Sequence, residues 1–524
     1  MNHIRTARFP LLLLAVISLL LLWIIPAAAV NGPYVIKENK HDVSPPLRQM
    51  AEPTPLAKKI VERPEHAAPP VPFKAMPGPD PVIQMDGDIS SPVPTKKVLS
   101  FDGITGSQGG AIPPDTNGAV GTTQFVLITN FDYSVYDKTN GHLILGPTRI
   151  HNIFKGFGGQ CESGDGGDPI VLFDHLANRW LVQQLEYVSS DQMCIAVSTS
   201  DDATGSYNRY VFTFTGLPDY PKFGVWPDAY YLSFNFFGSG WAEPCAVDRT
   251  AMLAGQTATI VCFGSNAPNF GLLPADLDGP TPPPAGAPNH YVELGNSSTT
   301  LSEFDFHVDF ANPKNSTFTG PHSITVKNYV KLCGGGGGAC IPQPPGGSLL
   351  DALGNETMFR NAYRNFGDHE AMVFSHSVAP GKGSTAVSAE RWYELRATPV
   401  GGSFSLYQSG TYQNATNNYW MGSIAMDKMG DIALGFSVDN KTNLPPSIRY
   451  TGRIPSDPLN KMHKSKMPVK GTKVQTSSNR WGDYSNMSVD PVDDCTMWYV
   501  QEYGKNGGEN WQSYVTAFKF NNCN

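Results

Sequence analysis

Three features of the 524-residue chain predict an all-β fold, specifically a seven-bladed β-propeller. They are short β-branched and aromatic runs bounded by turn residues, a near absence of helical spacing, and one motif that recurs along the chain. The runs are clearest in FVLITNFDYSVYDKTNGHLILG, where two strand-like stretches flank a turn at Lys138 to Gly141. The best helical candidate, MAEPTPLAKKIVERPEHAA, is cut by prolines on both sides.

The motif is an aromatic or Gly/Pro pair, then Asp, then a strand. It stands at Pro113-Pro114-Asp115, Gly166-Gly167-Asp168, Trp226-Pro227-Asp228, Phe366-Gly367-Asp368 and Trp481-Gly482-Asp483. Degenerate copies are Trp420-Met421-Gly422 and Ala287-Pro288-Asn289. The intervals between anchors are about 53 to 79 residues, which suits four antiparallel strands plus loops repeated radially. Closure is expected from Val98 to Phe101 pairing beside Val515 to Phe520 in the last blade.

Ahead of this domain, assigned to 98–524, lie two other segments. Arg5 and Arg8, an apolar run from Leu11 to Ile25, and Ala27, Ala28 and Ala29 have the order of a secretory signal peptide over 1–29. Its apolar core of about fifteen residues is shorter than the roughly twenty that span a bilayer, so the membrane is a partner only if the leader stays uncleaved. Residues 30–97 are crowded with proline and are expected to form a disordered linker.

The eight cysteines, Cys161, Cys194, Cys245, Cys262, Cys333, Cys340, Cys495 and Cys523, all lie in the exported part. An even number in an oxidising compartment points to disulfides, and pairing each with its neighbour keeps every bridge within one blade. Neither a CxxC pair nor a Cys/His cluster at zinc-like spacing is present. A net charge of -8 provides no basic surface for nucleic acid. A secreted or periplasmic monomer, with an extracellular glycan or surface protein as partner, is the expectation.

If the anchor aspartates occupy equivalent positions, Asp115, Asp168, Asp228, Asp368 and Asp483 gather around one channel mouth. Carboxylates converging there would bind a divalent cation or divide into acid and base for glycosidic cleavage, with Trp226, Trp420 and Trp481 stacking on sugar rings. The structural alternative is that each Asp caps a turn and each aromatic packs between blades. The least repetitive anchor, YRNFGDHE, adds His369 and Glu370 as general base and orienter and Arg364 as an anion site. Asp368 and Asp483 lead the catalytic candidates. Calcium is the candidate cofactor, at the acidic, glycine-rich loop of Cys161, Glu162, Asp165, Gly166, Gly167 and Asp168, for which the preferred reading is a solvated turn stapled by Cys161. The motifs G-x-S-x-G and H-E-x-x-H are absent.

In GDPIVLFDHLANRW, DYPKFGVWPDAYYLSFN, GSIAMDKMGDIALGFS, PSIRYTGR and RWGDYSNMSVDPVDDCTMWY the chain resembles secreted bacterial propeller-type proteins of uncharacterised activity, over roughly residues 100 to 523. It is more loosely similar to the sialidase-like, Asp-box propellers, through Ser488-Val489-Asp490 and Asp427-Lys428-Met429-Gly430. Neither Asp-box copy is complete, and Arg453-Ile454-Pro455 lies in the penultimate blade rather than near the start. The resemblance therefore implies a fold and no catalytic residue. The functional expectation is a carbohydrate-active enzyme, glycoside hydrolase-like, acting on extracellular polysaccharide. The alternative is a non-catalytic glycan-binding or adhesion module, which leaves enzyme status open.

Overall fold

The computed structural model describes residues 32–62, 73–237, 241–264, 270–335, 338–380 and 387–524. The signal peptide expected over 1–29 lies outside the described residues. Among the described residues no helix is long and apolar enough to cross a membrane.

The predicted all-β texture is what forms. From Asn117 onward the chain builds antiparallel four-stranded meanders, numbered here as sheets 1 to 7, over 117–149, 170–213, 218–262, 273–325, 358–413, 418–469 and 486–520. The last of these has three strands of its own. Its fourth is Thr95–Thr105, paired so that Phe101 faces Val515 and Leu99 faces Ala517, as the closure expectation required. The hairpin foreseen at Lys138 to Gly141 joins Asp132–Asp137 to Leu143–Arg149, with the Gly141 N–H bonded to the Asp137 carbonyl.

The sheets do not merge into one hydrogen-bonded barrel. Among the described residues only sheets 4 and 5 are joined, by parallel pairing of Leu273–Leu277 with Met358–Asn365. The first strand of each sheet instead touches the first strand of the next, and that of sheet 7 touches that of sheet 1, so the seven first strands surround an axis. Each sheet is sandwiched between neighbours, which explains why strands such as Ile170–Asp174 and Tyr230–Phe236 are buried throughout and read as near-continuous apolar runs. Leu181 and Ile195 of sheet 2 pack on Phe223 and Leu232 of sheet 3, all fully buried. Each such side chain contributes about 1.5–3 kcal/mol.

The Gly-Gly of one anchor has a steric origin. A Cβ on Gly166 would sit 2.0 Å from the Leu185 carbonyl oxygen, and Gly167 has φ of +95°. Side chains at both positions are disfavoured before Asp168 is considered.

The four disulfides are Cys161–Cys194, Cys245–Cys262, Cys333–Cys340 and Cys495–Cys523, the neighbour pairing expected from sequence. They fit an oxidising compartment.

Within the expected linker over 30–97, the described residues 32–62 and 73–97 are ordered against the sheets rather than disordered. Tyr34–Lys37 extends sheet 3, Lys40–Val43 extends sheet 2, and Pro53 bridges to Thr148 of sheet 1. Lys74 then bridges to Ser297 of sheet 4, Ile83–Met85 extends sheet 5, and Ile89–Pro92 pairs with His463–Lys464 beside sheet 6. This strap therefore visits the sheets one after another. Its residues 63–72 lie outside the described ones. A segment that lies on a preformed edge takes its hydrogen bonds and burial from that edge, so its own composition carries no periodic signal. Covering the outer strands of sheets 2, 3 and 5 also removes edges on which other chains would pair.

Candidate functional site

The anchor aspartates separate into two groups. Asp115, Asp168 and Asp483 precede first strands and lie at the leading end of the axis, while Asp228 and Asp368 sit in hairpins after first strands, at the trailing end. The expected ring of five around one mouth is therefore corrected. A first strand is only four to nine residues long here, so an interval near 60 residues cannot tell its start from its finish.

At the leading end the aspartates stitch sheets together. Asp115 accepts from Asn130 Nδ2 and from the Asp483 N–H, both at 2.7 Å, and Asp168 accepts from the Tyr220 N–H at 3.1 Å. Asp483 takes an ion pair of 2.9 Å from Arg480. Burial, followed by the charges of Asp483 and Asp168, holds Asp115 well above the usual carboxylate range. Among them lies Lys222, 1% exposed, with its ammonium 3.3 Å from the Tyr220 ring centroid and 4.1 Å from that of Tyr484. Burial lowers its pKa to about 8 against the pull of Asp168, Glu356, Asp115 and Asp483. This is an enclosed charge cluster that ties sheets 1, 2, 3 and 7 together.

The other expected site residues are similarly committed. Trp226, Trp420 and Trp481 are at most 1% exposed, so none offers a face to a sugar. Trp226 packs edge-on against Tyr363, and Trp420 and Trp481 pack together 5.8 Å apart. They fill the space between blades, as the structural alternative held. Arg364 is buried with both terminal nitrogens on Asp494, at 2.8 and 2.7 Å, and this replaces the expected ligand anion. Asp228 accepts from the Tyr231 hydroxyl at 3.2 Å. Asp368 is exposed and contacts His369 Nδ1 at 2.7 Å, while the His369 ring stacks on Phe366. In the loop considered for calcium, Glu162 accepts from the Gly156 and Gly158 N–H groups and Asp165 from His151, so its carboxylates face inward to the loop.

At the trailing end the axis opens into a cavity of about 330 Å³ lined by Asp276, Asp278, Arg360 and Asp494 among others. Arg360 closes it chemically, bonding Asp276 at 2.8 Å and Asp278 at 2.8 and 2.7 Å.

A larger groove, about 530 Å³, lies at the same end between sheets 4 and 5. Its lining includes His290, Glu303, Asp305, His322, Glu370 and Phe404. Of the sequence-predicted catalytic residues only Glu370 reaches it, accepting from the Tyr363 hydroxyl at 2.5 Å and from the Gly401 N–H. The other polar groups come from three adjacent strands of sheet 4. His290 faces Asp305 across one strand pair and Glu303 faces His322 across the next, while Glu303 and Asp305 are two apart on one strand. A period of two therefore places all four on one face. Sequence reasoning passed over them, although the alternation Glu303-Phe304-Asp305 inside a strand pattern was the available signal.

His290 Nδ1 lies 3.0 Å from Glu303 and 2.7 Å from Asp305, and His322 Nε2 lies 3.4 Å from Asp305. Burial opposes protonation of His290, but its bonds to Asp305 and Glu303 prevail and raise its pKa to about 9. Burial raises Glu303 despite His290. For Asp305 burial also acts upward, but His290 and His322 outweigh it and hold the carboxyl low. Phe404 forms part of the wall, edge-on to His290 at 4.7 Å. Among the described residues, His290, Glu303 and Asp305 are the group of three whose metal-ligating atoms converge within 4.8 Å.

Buried acids elsewhere set a pH dependence. Burial raises Asp132 to about 7, Glu390 to about 8 and Asp427, with Asp431 beside it, to about 8. Each keeps its proton in the folded chain where the unfolded chain has lost it, so the folded state binds more protons and stability falls as pH rises from about 4 to about 8. His290 acts in the same direction, its contribution being complete below its unfolded pKa and lost as pH passes about 9. The melting temperature is expected to fall by several degrees between pH 5 and pH 8 in a thermal scan at constant ionic strength. A steady rise over that interval would contradict it.

No family model and no curated protein matches the chain. Among solved structures it is similar to the WD40 domain of SCAP from fission yeast, at 10% identity and a TM-score of 0.35, with 76% of this chain and 82% of that chain covered. It is similar to the polysaccharide lyase Uly1 at 8% identity and a TM-score of 0.32, covering 66% of this chain and 88% of that one. An endo-arabinase from Bacteroides thetaiotaomicron matches at 13% identity and a TM-score of 0.28, covering 67% and 92%. At these TM-scores the likenesses carry no weight of their own, and the fold stands on sheet order and the ring of first strands. The sialidase-type likeness has no support beyond its incomplete sequence echoes.

Proposed function

We propose that the seven sheets are the blades of an exported β-propeller and that the chain is a carbohydrate-active enzyme, acting on extracellular polysaccharide or glycan in the groove between sheets 4 and 5. The observation that carries this reading is the groove itself. Its volume of about 530 Å³ lies in the range of small-molecule sites, and it combines carboxylates, imidazoles and an aromatic wall on one open surface. Sugars are held by such convergent hydrogen-bonding groups. Opposite shifts of two neighbouring carboxyls, Glu303 upward and Asp305 downward, also suit a site that handles protons or charge. The leading-end cluster is a weaker candidate because its side chains are enclosed and mutually bonded.

The test is an assay of the exported chain against a broad polysaccharide and glycan panel, reading both new reducing ends and unsaturated products. Turnover is expected, with a loss of at least about tenfold in His322→Ala at unchanged melting temperature and in Glu370→Gln in protein that remains folded. Full turnover in both variants would move the site elsewhere. Retention of a glycan without product would make the chain a binding module.

A further inference from the structure

We infer that His290, Glu303, Asp305 and His322 form a binding site for a divalent first-row transition cation, of the Zn²⁺ or Mn²⁺ class, at the sheet 4 wall of the groove. Three independent observations meet there. The register places all four on one face of three adjacent strands, so the backbone assembles the set before any side chain is oriented. The ligating atoms of His290, Glu303 and Asp305 lie within 4.8 Å of one another, and the contacts of 2.7 and 3.0 Å from His290 Nδ1 to the carboxylates need widen by only about half an ångström to surround one small cation.

The third observation is a mismatch in hydrogen bonding. A single imidazole nitrogen carries at most one proton, yet two carboxylate oxygens converge on His290 Nδ1. The two carboxylates, Glu303 at 3.0 Å and Asp305 at 2.7 Å, therefore compete for a single donor. A dication satisfies both acids and the imidazole nitrogen together.

The donor set selects the class. Calcium takes six to eight oxygens, whereas mixed imidazole and carboxylate donors suit zinc, manganese or iron. The proposed site thus differs from the sequence expectation of calcium at the Glu162 loop in both place and ion. Zinc-like spacing was absent from the sequence because the ligands come from three strands, with 13 residues from His290 to Glu303 and 17 from Asp305 to His322. His322, with a side chain 54% exposed, is the ligand nearest solvent. A coordination position on the groove side would receive sugar hydroxyls or a sugar carboxylate. This role, unlike the site itself, rests on the carbohydrate reading.

Tag-free protein, stripped with chelator, is titrated calorimetrically with Zn²⁺, Mn²⁺ and Ca²⁺, beside Asp305→Asn and His322→Gln. One site per chain is expected, with calcium weaker by at least about tenfold and each substitution weakening the transition cation by about 10–100-fold. The cation is also expected to raise the melting temperature of the wild type and much less that of the variants. No binding, or binding unchanged in both variants, overturns the site whatever happens to glycan. Binding lost in the variants while glycan turnover survives chelation keeps the site and separates it from the carbohydrate reading.

Discussion

Asp80→Ala is expected to destabilise the fold by about 3–5 kcal/mol, because it leaves a buried arginine without its partner. Asp80 belongs to the proline-rich strap, and its carboxylate meets Arg391 Nη1 at 3.0 and 3.1 Å, with both side chains fully inaccessible. It also accepts from the Thr411 hydroxyl and the Val82 N–H. Arg391 has further bonds to Thr411 Oγ1 and the Lys327 carbonyl, but these neutral acceptors do not balance its charge. Denaturant unfolding of Asp80→Ala measures the effect. Replacing both partners, as in Asp80→Ala with Arg391→Met, is expected to cost less than the sum of the single changes. Were residues 30–97 a spacer, Asp80→Ala would be nearly silent, within about 0.5 kcal/mol.

Lys222→Met is expected to be comparably damaging at neutral pH, by about 3–5 kcal/mol. Lys222 carries positive charge into a buried space shared by Asp115, Asp168, Asp483 and Glu356. Without it only Arg480 faces that cluster, already paired with Asp351 and Asp483. The sign of the pH effect follows from the carboxyls. Asp115 and Asp483 are already raised by burial. Removing a cation raises them further, so the folded variant binds more protons than the wild type and its deficit grows as pH rises from about 4. Unfolding at pH 5 and pH 7.5 should therefore show the smaller loss at the lower pH. A loss independent of pH would mean that Lys222 acts through packing of its stem beside Tyr220 and Tyr484.

Much of the architecture was legible because a sandwiched sheet imposes a strong local pattern. Apolar runs such as Tyr230–Phe236, the Lys138 to Gly141 turn and the four neighbour disulfides are short-range features, and each has its own residue signature. The closing pair was a conjecture from Val98 to Phe101 beside Val515 to Phe520, because no short-range signature displays a contact between the two ends of the domain. The strap was not legible, because its order is supplied by the edges on which it lies. The anchor aspartates were found but placed on one end of the axis instead of two. Glu370 was identified through its irregular motif, whereas His290, Glu303, Asp305 and His322 were not. Their common face is a product of strand register, which a single sequence does not display.

These placements shift functional weight from the aspartate ring to the groove between sheets 4 and 5. The leading-end carboxylates hold sheets together and the tryptophans fill the space between them. The groove leaves polar groups open to a ligand.

The most direct measurement is hydrogen-exchange mass spectrometry of residues 30–524 with and without the saccharide that they retain from the panel. Protection is expected in 284–290 and 401–404, which line the groove, with little change around Asp115, Asp168 and Asp483. Protection confined to those leading-end segments or to the axial cavity at Asp276 and Asp278, or no saccharide retained at all, would contradict the assignment.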